Sequence, residues 1–342
     1  MTRYSNAKKS IAQLGRWVLL GAVPSLLVAW LVGFILGVRN DLLIWLYYIP
    51  ALAAGLLGSL WCWFARRTAP RWLRVVTAAL TLLAAGKILA GDFRWHRPVA
   101  PRPEALRVVH WNVAYAWRGR DAVFKRVAAQ RPDLVCLSEL RHTPSLANEV
   151  RTFLGFAHTF QDQGMAILSR HPFTPQGTIR LPSARAWWAR IDTPQGPLDV
   201  AVVDLISHPY LNREQPLDAL AAWVARHDDA IPLLIMGDFN TPRDARAFRP
   251  LRGHLQHAYE TSGRGWPYSW PLPLPLYSLD HTWYSPGLRI TGYHLQAARI
   301  SDHLRQVMDV ELVKPVNFPL AEPPRRGEEE EFWGGFADRN RY

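Results

Sequence analysis

The sequence predicts a mixed α/β domain preceded by three membrane-spanning helices. Three observations carry that expectation. The first hundred of the 342 residues hold three long apolar stretches. From about residue 104, apolar runs of strand length alternate with patterns of helical length. Several of those runs end in an acid, an amide or a histidine.

Taken in order, Leu14–Val38 is free of charge except at Arg16 and its end, and Pro24 interrupts it. Leu42–Phe64 contains no Asp, Glu, Lys or Arg. Val75–Leu89, entered through Trp72 and Leu73, carries Lys87. About 20 apolar residues cross a bilayer, so residues 14–38, 42–64 and 72–90 read as transmembrane helices of an anchor covering 1–92. A cleavable signal has an apolar region of about 7–15 residues; the first run is longer and reads as a signal anchor. Arg3, Lys8, Lys9 and Arg16 precede the first span, and Arg66, Arg67, Arg71 and Arg74 separate the second from the third. The Arg39-Asn40-Asp41 turn is nearly neutral. Basic loops stay in the cytoplasm, so three crossings place everything after about residue 91 outside, in the periplasm or beyond the cell.

Residues 93–103, rich in Pro and Arg, read as a linker to a domain at 104–314. Within it, Asp121–Gln130 and Asn212–His227 have helical patterns, and the adjacent β-runs Gly164–Ser169, Trp187–Asp192 and Leu198–Ile206 suggest antiparallel pairing. The tail 315–342, with Pro323, Pro324 and Glu328–Glu331, reads as disordered. Cys62 and Cys136 both lie in apolar runs without metal-ligand spacing, so neither a zinc site nor a required disulfide is expected. No G-x-S-x-G elbow marks a serine hydrolase.

The polar residues concentrate where strands end. Ile231–Met236 closes in Gly237-Asp238-Phe239-Asn240, and residues i and i+2 of a strand face the same way, so Asp238 and Asn240 can present a base and a donor to one target. Leu106–Asn112 ends in an amide, Asp133–Glu139 in an acid, and Leu198–His208 in a histidine. Asp280 and His281 open one strand, while Asp302 and His303 precede another at Val307–Leu312. Strand ends hold such groups rigidly enough to converge on one ligand.

The order Asn112, Glu139, Gly164–Arg170, His208, Asp238 with Asn240, Asp280 and Ser301-Asp302-His303 resembles the endonuclease/exonuclease/phosphatase superfamily, over residues 104–313. The resemblance implies a four-layer αββα sandwich, as in deoxyribonuclease I, and divalent-metal phosphoester chemistry with Mg²⁺, or Mn²⁺ in its place. It implies Glu139 as principal metal ligand, with Asp302, Asn112 and Asp238 at or near the metal. It also implies that Asp238 activates water oriented by Asn112, and that Asn240 donates to the phosphate. Asp280 would fix the tautomer of His303 beside the phosphoryl group, and His208 would contact the phosphate or help the leaving group depart. Arg170 reads either as a phosphate contact or as a plain surface arginine.

Charge narrows the partners. Residues 1–100 hold 12 Lys and Arg against 2 Asp and Glu, whereas 101–342 hold 28 against 26. The basicity belongs to the membrane flanks, and a groove tracking nucleic-acid phosphates needs more positive charge. Arg243, Arg246, Arg249 and Arg252 read as a solvated helix face. Trp266–Tyr277, alternating Pro and Leu, predicts an extended polyproline path that is either a lipid-meeting apolar rim or a rigid packed loop. The resemblance is closest to membrane-bound bacterial members. The expectation is therefore a multi-pass plasma-membrane phosphoesterase acting on a phosphorylated, lipid-linked envelope substrate. The rivals are an extracytoplasmic nuclease and a catalytically silent domain that binds a phosphorylated ligand.

Overall fold

Alternation along the strands decides the layers. A computed structural model describes residues 20–37, 43–97, 99–208 and 210–313. Past a two-residue strand β1 (Arg94–Trp95), the chain runs β2 (Leu106–Asn112), α5 (Arg120–Ala128), β3 (Leu134–Ser138), α6 (Leu146–Leu154), β4 (His158–Asp162) and β5 (Met165–Ser169). There follow β6 (Phe173–Thr178), β7 (Ala184–Thr193), β8 (Gly196–Leu205), α7 (Glu214–Val224) and β9 (Leu233–Asp238). The domain closes with α8 (Arg249–Arg252), β10 (Gln256–His257), α9 (Ala258–Ser262), β11 (Arg264–Gly265), β12 (Asp280–Tyr284), β13 (Leu288–Gln296) and β14 (Arg305–Leu312). One six-stranded sheet has the order β10-β12-β9-β8-β7-β6 and the other β13-β14-β2-β3-β5-β4.

Val108 and Cys136 of the second sheet meet Val200, Val202 and Met236 of the first in a core between the sheets. The alternate residues face outward, as the two-residue period requires: Val203 and Ile235 pack under Leu217, Leu220 and Leu251, and Val109 and Val135 under Phe124, Val127 and Val150. The result is the expected four layers, helix, sheet, sheet, helix. The expected antiparallel pairing holds for β7–β8, and β6 adds to β7 antiparallel at the sheet edge. The expected third partner, β5, lies in the other sheet between β3 and β4.

The N-terminal unit departs from three equal spans. The first stretch forms a helix, α1 (Leu20–Leu36); its expected residues 14–19 and 38 lie outside the described residues, as do the Arg39–Asp41 turn and the tail. The second stretch is not one helix. It forms a short α2 (Ile44–Tyr47), breaks at Pro50, and resumes as α3 (Ala51–Phe64), because proline suits a first-turn or flanking position and not a helix interior. The third, the most polar by composition, is the longest: α4 (Arg71–Gly86) continues as a π-helical turn to Asp92. At 22 residues Arg71–Asp92 is, among the described residues, the one helix long and apolar enough to cross a membrane. Leu27, Trp30, Ala54, Leu80 and Ala84 knit the helices together. Gly58 permits that approach, since a Cβ there would meet Thr81 and Leu27.

The linker is docked rather than free: β1 pairs antiparallel with β11, and the His96 ring meets the Gly263 carbonyl at 2.9 Å.

Candidate active site

The site is the polar end of the inter-sheet core. In β8, β9 and β12 the inward-facing row ends in Asp204, Asp238 and Asp280, which lie side by side in register. In β2 the same row ends in Asn112. The two sheets meet through these residues. Asn112 Nδ2 donates to Asp238 Oδ2 at 2.9 Å, and His303, just before β14, places Nδ1 2.8 Å from Asp280 Oδ2. Behind them, Ser269 Oγ accepts from the Leu279 and Asp280 amides, and Ser301 Oγ donates to the Asn112 carbonyl. The expected acid–histidine pair is therefore present and braced from both sheets.

A cavity of about 590 Å³ opens on this network, its lining including Glu139, Asp238, Asn240, Asp302 and His303. Glu139 follows β3, where continued alternation would turn it outward; its φ of +53° interrupts the strand. Asn240, Ala114 and Tyr115 at the cavity wall are left-handed as well, with φ of +45°, +45° and +58°. Non-glycine residues held there cost about 1–3 kcal/mol each, and such strain gathers at functional sites.

Several predicted roles need correction. Asn240 does not sit beside Asp238 on one strand face, because β9 ends at Asp238. Instead the Asn240 amide turns back to donate to Asp238 Oδ1 at 2.9 Å, and its Nδ2 donates to the Leu205 carbonyl. Asn112 is fully buried behind Asp238, to which its Nδ2 donates, while its Oδ1 accepts from Ala114 N. Asp302 lines the cavity while accepting from Trp270 Nε1 at 2.8 Å. His208 lies three residues past the end of β8, exposed, stacked on Tyr210 and absent from the cavity lining; Ser207 is there instead. Arg170 pairs with Asp133 at the opposite end of the sheet.

Arg243 is buried between Asp92 and Glu260, and Arg252 also reaches Glu260, so these two do not form a solvated face. The Trp266–Tyr277 loop is neither extended nor polyproline: Trp270 bridges back to Tyr277. His281 points to the outer side of its sheet, meeting the Thr241 carbonyl at 2.8 Å and His257 at 3.0 Å.

Asp204, which with Asp162 is a candidate from the sequence for the acid partner of His208, is instead buried and held by Arg185 at 2.7 Å. It is pushed up to about 6 by burial and the nearby Glu139, against the pull of Arg185. Trp45 and Tyr48 from the N-terminal unit stand in the cavity wall, and nothing local in the sequence pointed to them.

The electrostatics separate the two central carboxylates. Burial raises Asp238 and the charge of Asp280 raises it further. Asp280 suffers the same burial, but the charge and hydrogen bond of His303 hold it below the ordinary carboxylate value. His303, although burial opposes its charge, is raised to about 10 by Asp280 and Asp238. The split pairs a charged His303 with Asp280 and leaves Asp238 the more readily protonated of the two carboxylates.

Ligand atoms of Asp238, Asp280 and His303 lie within 4.8 Å of one another, but this trio is a hydrogen-bonded network and not a vacant chelate. His303 Nδ1 is spent on Asp280, and both Asp238 oxygens accept hydrogen bonds. Glu139, by contrast, has a carboxylate without a hydrogen bond among the described residues, in a cavity it shares with Asp302. Carboxylate oxygens without thiolates fit Mg²⁺ or Mn²⁺.

The model of the endonuclease/exonuclease/phosphatase family matches residues 109–303. The chain belongs to that family. Family members are hydrolases acting on phosphate esters, and the chain is a phosphoesterase or nuclease in that general sense. It shares its fold with an endonuclease/exonuclease/phosphatase from Beutenbergia cavernae, at 20% identity and a TM-score of 0.51, over 62% of this chain and 72% of that one. The catalytic domain of human Nocturnin is similar too, at 22% identity and a TM-score of 0.51, over 64% of this chain and all of that one. No curated protein matches the sequence.

Proposed function

We propose that this family member is a Mg²⁺-dependent phosphoesterase, anchored in a plasma membrane, whose substrate is a lipid-linked phosphate or diphosphate outside the cytoplasm. The observation that carries the chemistry is the Asp238–Asn112 and Asp280–His303 bracing beside the unpaired Glu139 carboxylate. Glu139, with Asp302, would hold the cation, which supplies neutralisation of the phosphoryl oxygens. Asp238, fixed by Asn112 and the Asn240 amide, takes a proton from the attacking water. His303 presents Nε2 at 3.8 Å from Asp238 Oδ2, beyond hydrogen-bond length, so that this N–H is left to donate to the phosphoryl or leaving oxygen. Asp280 keeps it charged.

Two features support the membrane reading. Leu56, Leu60, Phe64, Val75, Leu82 and Leu83 are exposed on α3 and α4, large apolar side chains of the kind that mark an interaction or membrane surface when they gather. In addition, Phe34 near the end of α1, Ala51 at the start of α3 and Asp92 at the end of α4 all gather around one small cavity against the catalytic domain. The helices thus run up, down and up, leaving the Arg66–Arg74 segment at the far end, as outward placement of the domain requires.

The test is Mg²⁺-dependent orthophosphate release from a polyprenyl diphosphate in detergent, wild type against Asp238→Asn. Release by wild type alone supports the reading. Release by neither, with wild type still cleaving a p-nitrophenyl phosphodiester, would replace diphosphate by diester as the substrate class.

A further inference from the structure

We infer that the corner between α2 and α3 is part of the substrate site, with Trp45 and Tyr48 forming the wall that holds the hydrocarbon chain of an amphiphilic phosphate ester. The inference rests on the phosphoesterase reading above and specifies what the same cavity binds.

The cavity sets aromatic rings directly beside its carboxylates: Trp270 Nε1 donates to Asp302 Oδ2 at 2.8 Å and Tyr48 Oη to the Asn240 carbonyl at 3.5 Å, and Trp45, Tyr115, Tyr277 and Leu279 complete the wall. Two of these residues, Trp45 and Tyr48, arrive from the apolar helical unit, far in sequence from the catalytic groups they face. They are firmly mounted. Tyr277 Oη donates to the Tyr48 carbonyl at 2.7 Å, Tyr47 Oη donates to Asp244 at 3.1 Å, and the Tyr48 and Tyr277 rings lie 6.3 Å apart. Trp45 is different: 57% exposed, its indole has no ring partner or hydrogen bond among the described residues. A large aromatic face is therefore offered to whatever enters.

Charge selects the occupant. Among the described residues no Lys or Arg lines the cavity, the nearby Arg185 is spent on Asp204 and the Gln163 carbonyl, and Arg141 lies over the Tyr115 ring. One phosphoryl group can be held beside the carboxylates, but one arginine is not the basic groove that follows the flanking phosphates of a nucleic acid and that stacking platforms ordinarily require alongside their aromatics. The wall is also continuous with the helical unit, whose outer surface is apolar, so a chain leaving the cavity past Trp45 runs onto the lipid-facing helices. Binding energy from that remote chain is what would distinguish long esters from short ones.

The test uses the full chain in lipid nanodiscs with Mg²⁺ and reads orthophosphate release from alkyl diphosphate esters from methyl to dodecyl. Wild-type kcat/KM should rise with chain length. Trp45→Ser should flatten that rise, losing about tenfold more on the dodecyl than on the methyl ester, the difference carried by KM with kcat within about twofold; Trp45→Phe should restore most of the loss. Tyr48→Leu should change the chain-length preference in the same sense. Equal losses on methyl and dodecyl esters would mean a structural role, and unchanged dodecyl turnover would mean no role; either overturns the inference while the phosphoesterase reading stands. Preference of wild type for oligonucleotide diesters, lost with Trp45→Ser, overturns it in favour of base stacking. Failure of wild type on every ester removes the underlying reading and the inference with it.

Discussion

At the scale of single residues, the site works by giving chemically similar groups different surroundings. Asp238 and Asp280 face each other across β9 and β12, yet one is raised and the other lowered because His303 lies in hydrogen-bond contact only with Asp280. His303 is held charged up to about 10, so its contribution to stability is fully present below the ordinary imidazole value of about 6.5 and is lost as pH rises through about 10. The donor role has the same sign, with an alkaline limb of kcat/KM near 10. Asp238, raised to about 8 and needed ionised to take the proton, sets an acid limb, so activity should rise through neutrality. Asp280→Asn removes the counter-ion, and the alkaline limb should move toward about 7, which leaves about a tenth of the imidazole charged at pH 8 and reduces turnover there by about tenfold. A pH–rate profile of the two proteins decides this; an unmoved alkaline limb would mean that His303 is not the donor. Asp238→Asn should abolish turnover at every pH, because the amide cannot take the proton.

At the scale of elements, the catalytic residues were legible because each strand carries its own register. An inward row of Val, Leu and Ile that ends in Asn or Asp announces a polar group at the end of a two-sheet core, which is why Asn112, Asp238 and Asp280 could be read together. The parts that failed were those that alternation does not govern. Asn240 is set by a turn and His208 by a loop beyond β8, so their side chains go where the local backbone sends them. Leu42–Phe64 looked continuous because Tyr47, Tyr48 and Ile49 are as apolar as their neighbours; only Pro50 marked the break.

The basic residues after Asn240 were misread for the same reason, since the partners of Arg243 lie 151 and 17 residues away. Arg243 joins Asp92, at the end of α4, to Glu260 of α9, and it is buried. Removing one member of a buried ion pair costs about 3–5 kcal/mol. Arg243→Met should therefore lower the melting temperature by roughly 10 °C in an intrinsic-fluorescence melt, and Arg243→Lys should not restore it, because a single ammonium cannot reach Asp92, Glu260 and the Gly91 carbonyl together.

At the scale of the molecule, the helical unit and the catalytic domain share one wall, and that makes orientation a functional matter. The Arg243–Asp92 pair, the Lys87–Asp244 bridge and the Tyr47–Asp244 hydrogen bond all fasten the domain to the same end of the helices. The basic Arg66–Arg74 segment lies at the other end, between α3 and α4. Basic segments are retained in the cytoplasm, so the fastened end, and with it the cavity mouth at Trp45, should open at the outer face of the membrane. In a bacterial host, a protease added to spheroplasts should digest the catalytic domain, and inside-out vesicles should protect it. Replacing Arg66, Arg67, Arg71 and Arg74 by Gln should weaken that bias and leave a protected fraction in spheroplasts. Complete protection of the unmodified chain in spheroplasts would place the cavity in the cytoplasm, and the substrate would then have to be a lipid phosphate of the inner leaflet.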